Sequence, residues 1–163
     1  MAMLSRITPC LWFDDQGEAA AQLYTSVFPN SRIVEVSRYT EAGREVHGRP
    51  PGSAMTVLFE LDGQRFTALN GGPVFRFTEA VSFQVTCADQ AEVDHYWTRL
   101  GEGGDPAAQR CGWLKDRFGL SWQVIPQQWA AYASDPVKGP KAFAALMEMS
   151  KIDLAVIEAA VNA

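Results

Sequence analysis

Two rhythms of apolar positions run along this chain, one of period two and one of period 3.6, and their order is written twice. Residues 6–13 alternate as a strand, which Pro9 confines to a sheet edge or a bulge. Asp14 and Asp15 then offer an N-cap, with Glu18 three places after Asp15 as in a capping box. Ala20, Leu23, Tyr24, Val27 and Phe28 share one helical face, and Pro29-Asn30 stops the helix. Strand patterns follow over residues 32–39, 54–61 and 65–69, the last two joined by the hairpin signal Asp62-Gly63. The polar run of residues 40–52 predicts a long exposed loop.

After Gly71-Gly72-Pro73 the order returns. Residues 80–87 read as a strand, and Asp89-Gln90-Ala91-Glu92 repeats Asp15-Gln16-Gly17-Glu18 about 74 residues later. Val93, Tyr96, Trp97 and Leu100 give a helical face that residues 101–105 end. CGWLKDRFGLSWQVIP, residues 111–126, reads as a hairpin, while GGDPAAQR before it lacks or shortens one strand. The chain is therefore expected to be an α+β protein of paired βαβββ modules. Module one spans about 5–71 and module two about 79–126, within a single domain 1–163. Residues 127–163 turn helical over 128–133, 141–149 and 152–160, with breaks at Asp135-Pro136 and Gly139-Pro140. Two four-stranded units of this kind enclose a half-barrel cleft, a natural small-molecule site.

Composition narrows the partners. A net charge of −5 argues against nucleic acid and against an anionic membrane surface. No run of eighteen apolar residues exists, and the MAMLSRITPCLWF start has no apolar core of a leader, so a cytoplasmic protein is expected. Cys10, Cys87 and Cys111 are odd in number and widely spaced, which fits reduced thiols better than a disulfide framework or a zinc site.

LWFDD, VFPNS, FELDGQ, FTALNGG, SFQV and CGWLKDRFGLSWQ together resemble the PhnB-like branch of the vicinal-oxygen-chelate superfamily, which includes glyoxalases and bleomycin-resistance proteins. That branch also carries the label 3-demethylubiquinone-9 3-methyltransferase. The resemblance implies the paired βαβββ fold, a homodimer, and a cleft in each half-barrel. Metal-dependent members of the superfamily hold a divalent cation with His, Gln or Glu on the first and last strand of each module. Carried over, those positions fall at Thr8, at Ser82, at Gln123 and within residues 67–70, where none is His, Asp or Glu. Neutral hydroxyls and amides are weak ligands for such an ion, so no metal and no cofactor are expected.

The expected cleft lining is Thr8, Cys10, Trp12, Asn70, Ser82, Gln84, Cys111, Trp113 and Gln123. These groups either line an amide-rich pocket or hydrogen-bond one another across a filled barrel. His47 lies in the long loop and His95 on an outer helix face, which leaves Glu35, Glu60, Glu79 and Asp116 as candidate bases. Cys10 and Cys111 are either cleft thiols or inert buried ones. LGEGGD follows a helix rather than a parallel strand, so the methyltransferase label has no nucleotide loop behind it. Binding or sequestration of a small organic ligand is the expected function, with a divergent enzyme acting on a small oxygen-rich metabolite as the alternative. Phe143, Leu146, Met147 and Met149 could serve dimer or partner contacts from the tail.

Overall fold

The computed structural model describes residues 6–163, so Met1 to Ser5, including the first residue of the expected module one, lie outside it. The chain divides into two compact units between Arg76 and Phe77.

Unit one is a four-stranded sheet in the order β1-β4-β3-β2 with one helix on it. The strands are β1 (Cys10–Phe13), β2 (Arg32–Arg38), β3 (Ala54–Leu61) and β4 (Gln64–Asn70). Strand β1 runs parallel to β4, and the other pairings are antiparallel. Strict alternation buries Leu11, Phe13, Val57, Phe59, Leu61, Phe66 and Ala68 under α1 (Gly17–Val27), against Ala20, Tyr24 and Val27. The β3–β4 turn places Asp62 and Gly63 both at positive φ, 45° and 80°, as a type I′ hairpin requires.

Three expectations change here. The first strand is half as long as its pattern, starting at Cys10, although the Thr67 N–H reaches Pro9 O just ahead of it. Helix α1 is not capped by Asp15. Its N-cap is Gln16, with no side-chain cap, and the Gly17 N–H is taken instead by Asn70 Oδ1 at 2.8 Å. The long loop contains a short helix, α2 (Arg44–His47).

Unit two carries a three-stranded sheet, order β5-β7-β6, from β5 (Ser82–Cys87), β6 (Trp113–Lys115) and β7 (Ser121–Pro126). The GGDPAAQR segment forms a 3-10 turn over Pro106–Ala108 in place of a strand. Helix α3 (Gln90–Gly101) covers one face with Val93, Tyr96 and Leu100. Its cap is as the sequence predicts: Asp89 Oδ1 accepts the Glu92 N–H, and Glu92 Oε2 accepts the Ala88 N–H.

The tail forms α4 (Trp129–Ser134), α5 (Lys138–Met147) and α6 (Leu154–Asn162). Gly139-Pro140 does not break the chain. It sits in the first turn of α5, where proline's missing N–H costs nothing. Ala142, Leu146, Ile152, Ile157 and Val161 make a separate small core. Gln90 ties it to α3, donating to Ile152 O and accepting from Leu154 N, and Lys151 pairs with Asp94.

Candidate functional site

In unit two the sheet face away from α3 is polar. Parallel pairing sets Ser82 beside Ser121 and Gln84 beside Gln123, and the antiparallel hairpin adds Lys115 beside Ser121 and Trp113 beside Gln123. Two rows result, Ser82–Ser121–Lys115 and Gln84–Gln123–Trp113. The intervening Val85, Leu114, Trp122 and Val124 are buried on the helix side, as period two demands.

Gln123 is the hub of this face. Its Nε2 donates to Ser82 Oγ at 2.8 Å, and its Oε1 accepts a long 3.4 Å bond from Gln84 Nε2. Such a ladder is uncharged and still has spare donors and acceptors, because each amide carries two N–H groups and a two-lone-pair oxygen. Lys115 is paired with Glu79, and the ammonium lowers the pKa of that carboxylate. Ser121 is 1% exposed, and its Oγ has no hydrogen-bond partner.

The turn that presents β7 rests on Asp116. Asp116 is buried, with Oδ1 accepting from Phe118 N and Leu120 N and Oδ2 from Trp122 Nε1 at 2.9 Å. It braces the hairpin and is committed there, which removes it from the candidate bases. Glu60 is likewise held between Arg32 and Arg65, which keep its carboxyl below the usual range.

In unit one the register pairs Cys10 with Thr67, and Thr67 with Leu58. Cys10, Trp12, Thr67 and Leu69 therefore share the face away from α1, with Glu35 on the next strand beside Leu58. Cys10 stands in unit one where Gln84 stands in unit two, so Thr67 is the counterpart of Gln123. Thr8 is not a strand residue. It is exposed and precedes β1.

Asn70 is a second correction. It is three residues from Thr67 and so points to the helix side, 5% exposed, with Nδ2 donating to Ala54 O and Oδ1 accepting from Gly17 N. Its amide joins helix to sheet. Cys111 is the third. It lies before β6 at φ 53°, donates its N–H to Met149 O, and packs against the tail core rather than on the polar face. Trp12 stands on the face away from α1, where its indole lies over Gly71, donates to Gly72 O at 2.9 Å and meets Phe75 edge-on at 4.9 Å.

The sequence reading missed a recess at the end of the first sheet, with a volume of about 280 Å³. Asp15, Glu18, Tyr39, Arg49, Ser53 and Asn70 line it. Arg49 pins the loop to Asp14, and His47 accepts the Arg49 N–H while its ring meets Tyr39 at a tilt, 4.5 Å between centroids. His47 is thus part of the loop's own bracing. The polar run of residues 40–52 signalled an exposed loop, and nothing local signalled its long-range anchor.

A divalent cation held on these strands would need charge or imidazole from its donors. Ser82 and Gln123 are neutral and bonded to each other, and among the described residues no three His, Cys, Asp or Glu side chains gather as a metal site. The donor set does not fit a divalent cation.

A family described as 3-demethylubiquinone-9 3-methyltransferase matches residues 5–125. The chain belongs to that family. Among solved structures it is similar to a PhnB protein from Bacillus cereus, 34% identical with a TM-score of 0.64, over 75% of this chain and 99% of that one. A protein from Pseudomonas aeruginosa matches at 18% identity and a TM-score of 0.58, over 76% of this chain and 98% of that one. The fosfomycin resistance protein FosX from Listeria monocytogenes matches at 16% identity and 0.50, over 83% and 99%. The last two carry the fold alone, which is the glyoxalase-like α+β fold of the vicinal-oxygen-chelate superfamily. No curated protein matches. Among the described residues, no helix of this PhnB-like protein is long and apolar enough to cross a membrane.

Proposed function

We propose that this PhnB-like protein is a cytoplasmic homodimer that binds a small oxygen-bearing organic ligand without a metal. The observation that supports it is the neutral ladder of Ser82, Gln123 and Gln84, with Trp113 at its end. The long, exposed Gln84–Gln123 bond and the spare amide donors and acceptors beside it can be exchanged for bonds to ligand oxygens at little cost. Ligation of a cation would instead need charge that these side chains do not bring.

Methyl transfer gets no support from the GEGGD run, which closes α3 and enters a 3-10 turn rather than opening a helix after a strand. Base catalysis gets little from Asp116 and Glu60, which are each engaged, and Glu79 is paired with Lys115; Glu35, beside Leu58 in unit one, is the candidate carboxylate left.

Native mass spectrometry of untagged protein purified without chelator tests this reading, paired with a thermal-shift screen of small metabolites on the wild type and Gln123→Ala. A metal-free dimer, and compounds that stabilise the wild type more than the variant, are expected. A stoichiometric divalent metal released on denaturation would overturn it. So would a screen in which every stabilising compound acts equally on both proteins.

A further inference from the structure

The polar face of unit two contains one hydroxyl that its own fold leaves unused. Ser121 Oγ is buried and unpartnered, although its cross-strand neighbours on the same face, Ser82 and Lys115, are both polar. A buried hydroxyl without an acceptor is uncommon in a folded protein, because it has given up water for nothing. Something at this position is expected to accept a hydrogen bond from it.

The groups around it are mainly donors. Ser82 Oγ accepts from Gln123, so its own O–H remains to be given. Gln84 and Gln123 hold further N–H groups, and Lys115 brings three N–H donors and a positive charge. The charged acceptor present is the Glu79 carboxylate on Lys115. Glu79 comes from the segment ahead of β5, its side chain 62% exposed and the Lys115 side chain 28% exposed. An exposed ion pair of this sort is weak and easily exchanged. Glu79 therefore acts as a tethered stand-in for a carboxylate, and it leaves Ser121 unsatisfied.

We propose that the Ser82–Ser121–Lys115 row binds the carboxylate of a small organic acid, which replaces Glu79 on Lys115 and accepts the Ser121 and Ser82 hydroxyls. The inference rests on the binding reading above and narrows it to an anionic ligand. The rest of the ligand then lies along the Gln84–Gln123–Trp113 row, where the amides meet neutral oxygens and the indole meets carbon. Exchange of one carboxylate for another leaves the net charge of the lysine site unchanged. The gain comes from the hydroxyls that Glu79 does not reach.

Acetate and acetamide make a matched pair of probes, nearly equal in shape and different in charge. Each is titrated at pH 7 and constant ionic strength into the isotopically labelled full chain, following the backbone and side-chain amide resonances of Ser121, Gln123 and Gln84. Acetate is expected to move all three. Glu79→Gln should tighten acetate several-fold by removing its competitor, and Lys115→Met should weaken it at least tenfold. Ser121→Ala should weaken it less and leave acetamide unaffected. Acetate shifts that persist in Lys115→Met, or that do not strengthen in Glu79→Gln, would overturn the carboxylate site. Acetamide shifts centred on Gln123 in that event would leave the neutral-binding reading standing. Silence from both probes overturns the carboxylate site, and if the metabolite screen is silent too, the binding reading goes with it.

Discussion

Asn70 offers the sharpest test of how unit one is held together, because two of its neighbours depend on one amide. Asn70→Ala would remove an acceptor 2.8 Å from the Gly17 N–H and a donor 3.1 Å from Ala54 O. The site is buried, and the first turn of α1 has no side-chain cap to take over. Each hydrogen bond is worth roughly 1 kcal/mol net, and each buried group left without a partner costs about 1–3 kcal/mol. Water can reach the edge of the recess beside Asn70, so the lower part of that range applies. The expected loss is about 3 kcal/mol, equivalent to roughly 6–12 °C in Tm for a chain of this size. Urea unfolding followed by far-UV circular dichroism measures it as a lower midpoint at constant slope, and the Gly17 amide should lose its protection from hydrogen exchange. A loss under about 1 kcal/mol, or an unchanged Gly17 amide, would refute the account of Asn70 as the bond between helix and sheet. Gly17→Ala gives an independent check. A Cβ there would stand 2.7 Å from Asn70 Oδ1, so it should destabilise by pushing that amide off the Gly17 N–H while leaving Asn70 itself unmutated.

Trp122→Phe removes the indole N–H that Asp116 Oδ2 accepts and leaves a cavity where the second ring was, and should cost about 2–4 kcal/mol by the same urea assay. Burial, with the Glu92 and Asp89 charges, pushes the Cys87 thiol up to about 12, leaving roughly one thiolate in ten thousand at pH 8. Cys87 should therefore resist a disulfide reagent until the protein unfolds. Cys10 is exposed on its sheet face but also pushed up by partial burial, so it should react first and with a pH profile displaced upward from a free thiol. Lys151 and Gln90 lower the Asp94 carboxyl. Its contribution is present above the unfolded carboxylate pKa of about 3.9 and is lost as pH falls through the lower folded value. Asp94→Asn should flatten that acid limb when tail unfolding is followed by fluorescence between about pH 5 and pH 2.

Periodicity along the chain was enough to order the strands and helices, to reveal the repeat, and to place the Asp89 cap, because each depends on residues within a few positions of one another. The family resemblance, not periodicity, marked the positions where metal-dependent relatives carry ligands, and Thr8, Ser82 and Gln123 there are neutral. Alternation even held the correction for Asn70, since residues three apart on a strand face opposite ways and Thr67 and Asn70 cannot share a cleft. What no local pattern carries is register. The pairing of Cys10 with Thr67, of Ser82 with Ser121 and of Gln84 with Gln123 joins segments far apart in the chain, and only the folded sheet sets which side chains become neighbours. The same holds for Cys111, drawn to Met149 by a tail whose packing is decided tertiarily, and for the cap of α1, supplied from β4 rather than from the adjacent Asp15. Chain-local chemistry determined the kinds of groups available. Long-range pairing decided that Ser82, Ser121, Lys115 and Gln123 stand together, with one hydroxyl still waiting for an acceptor.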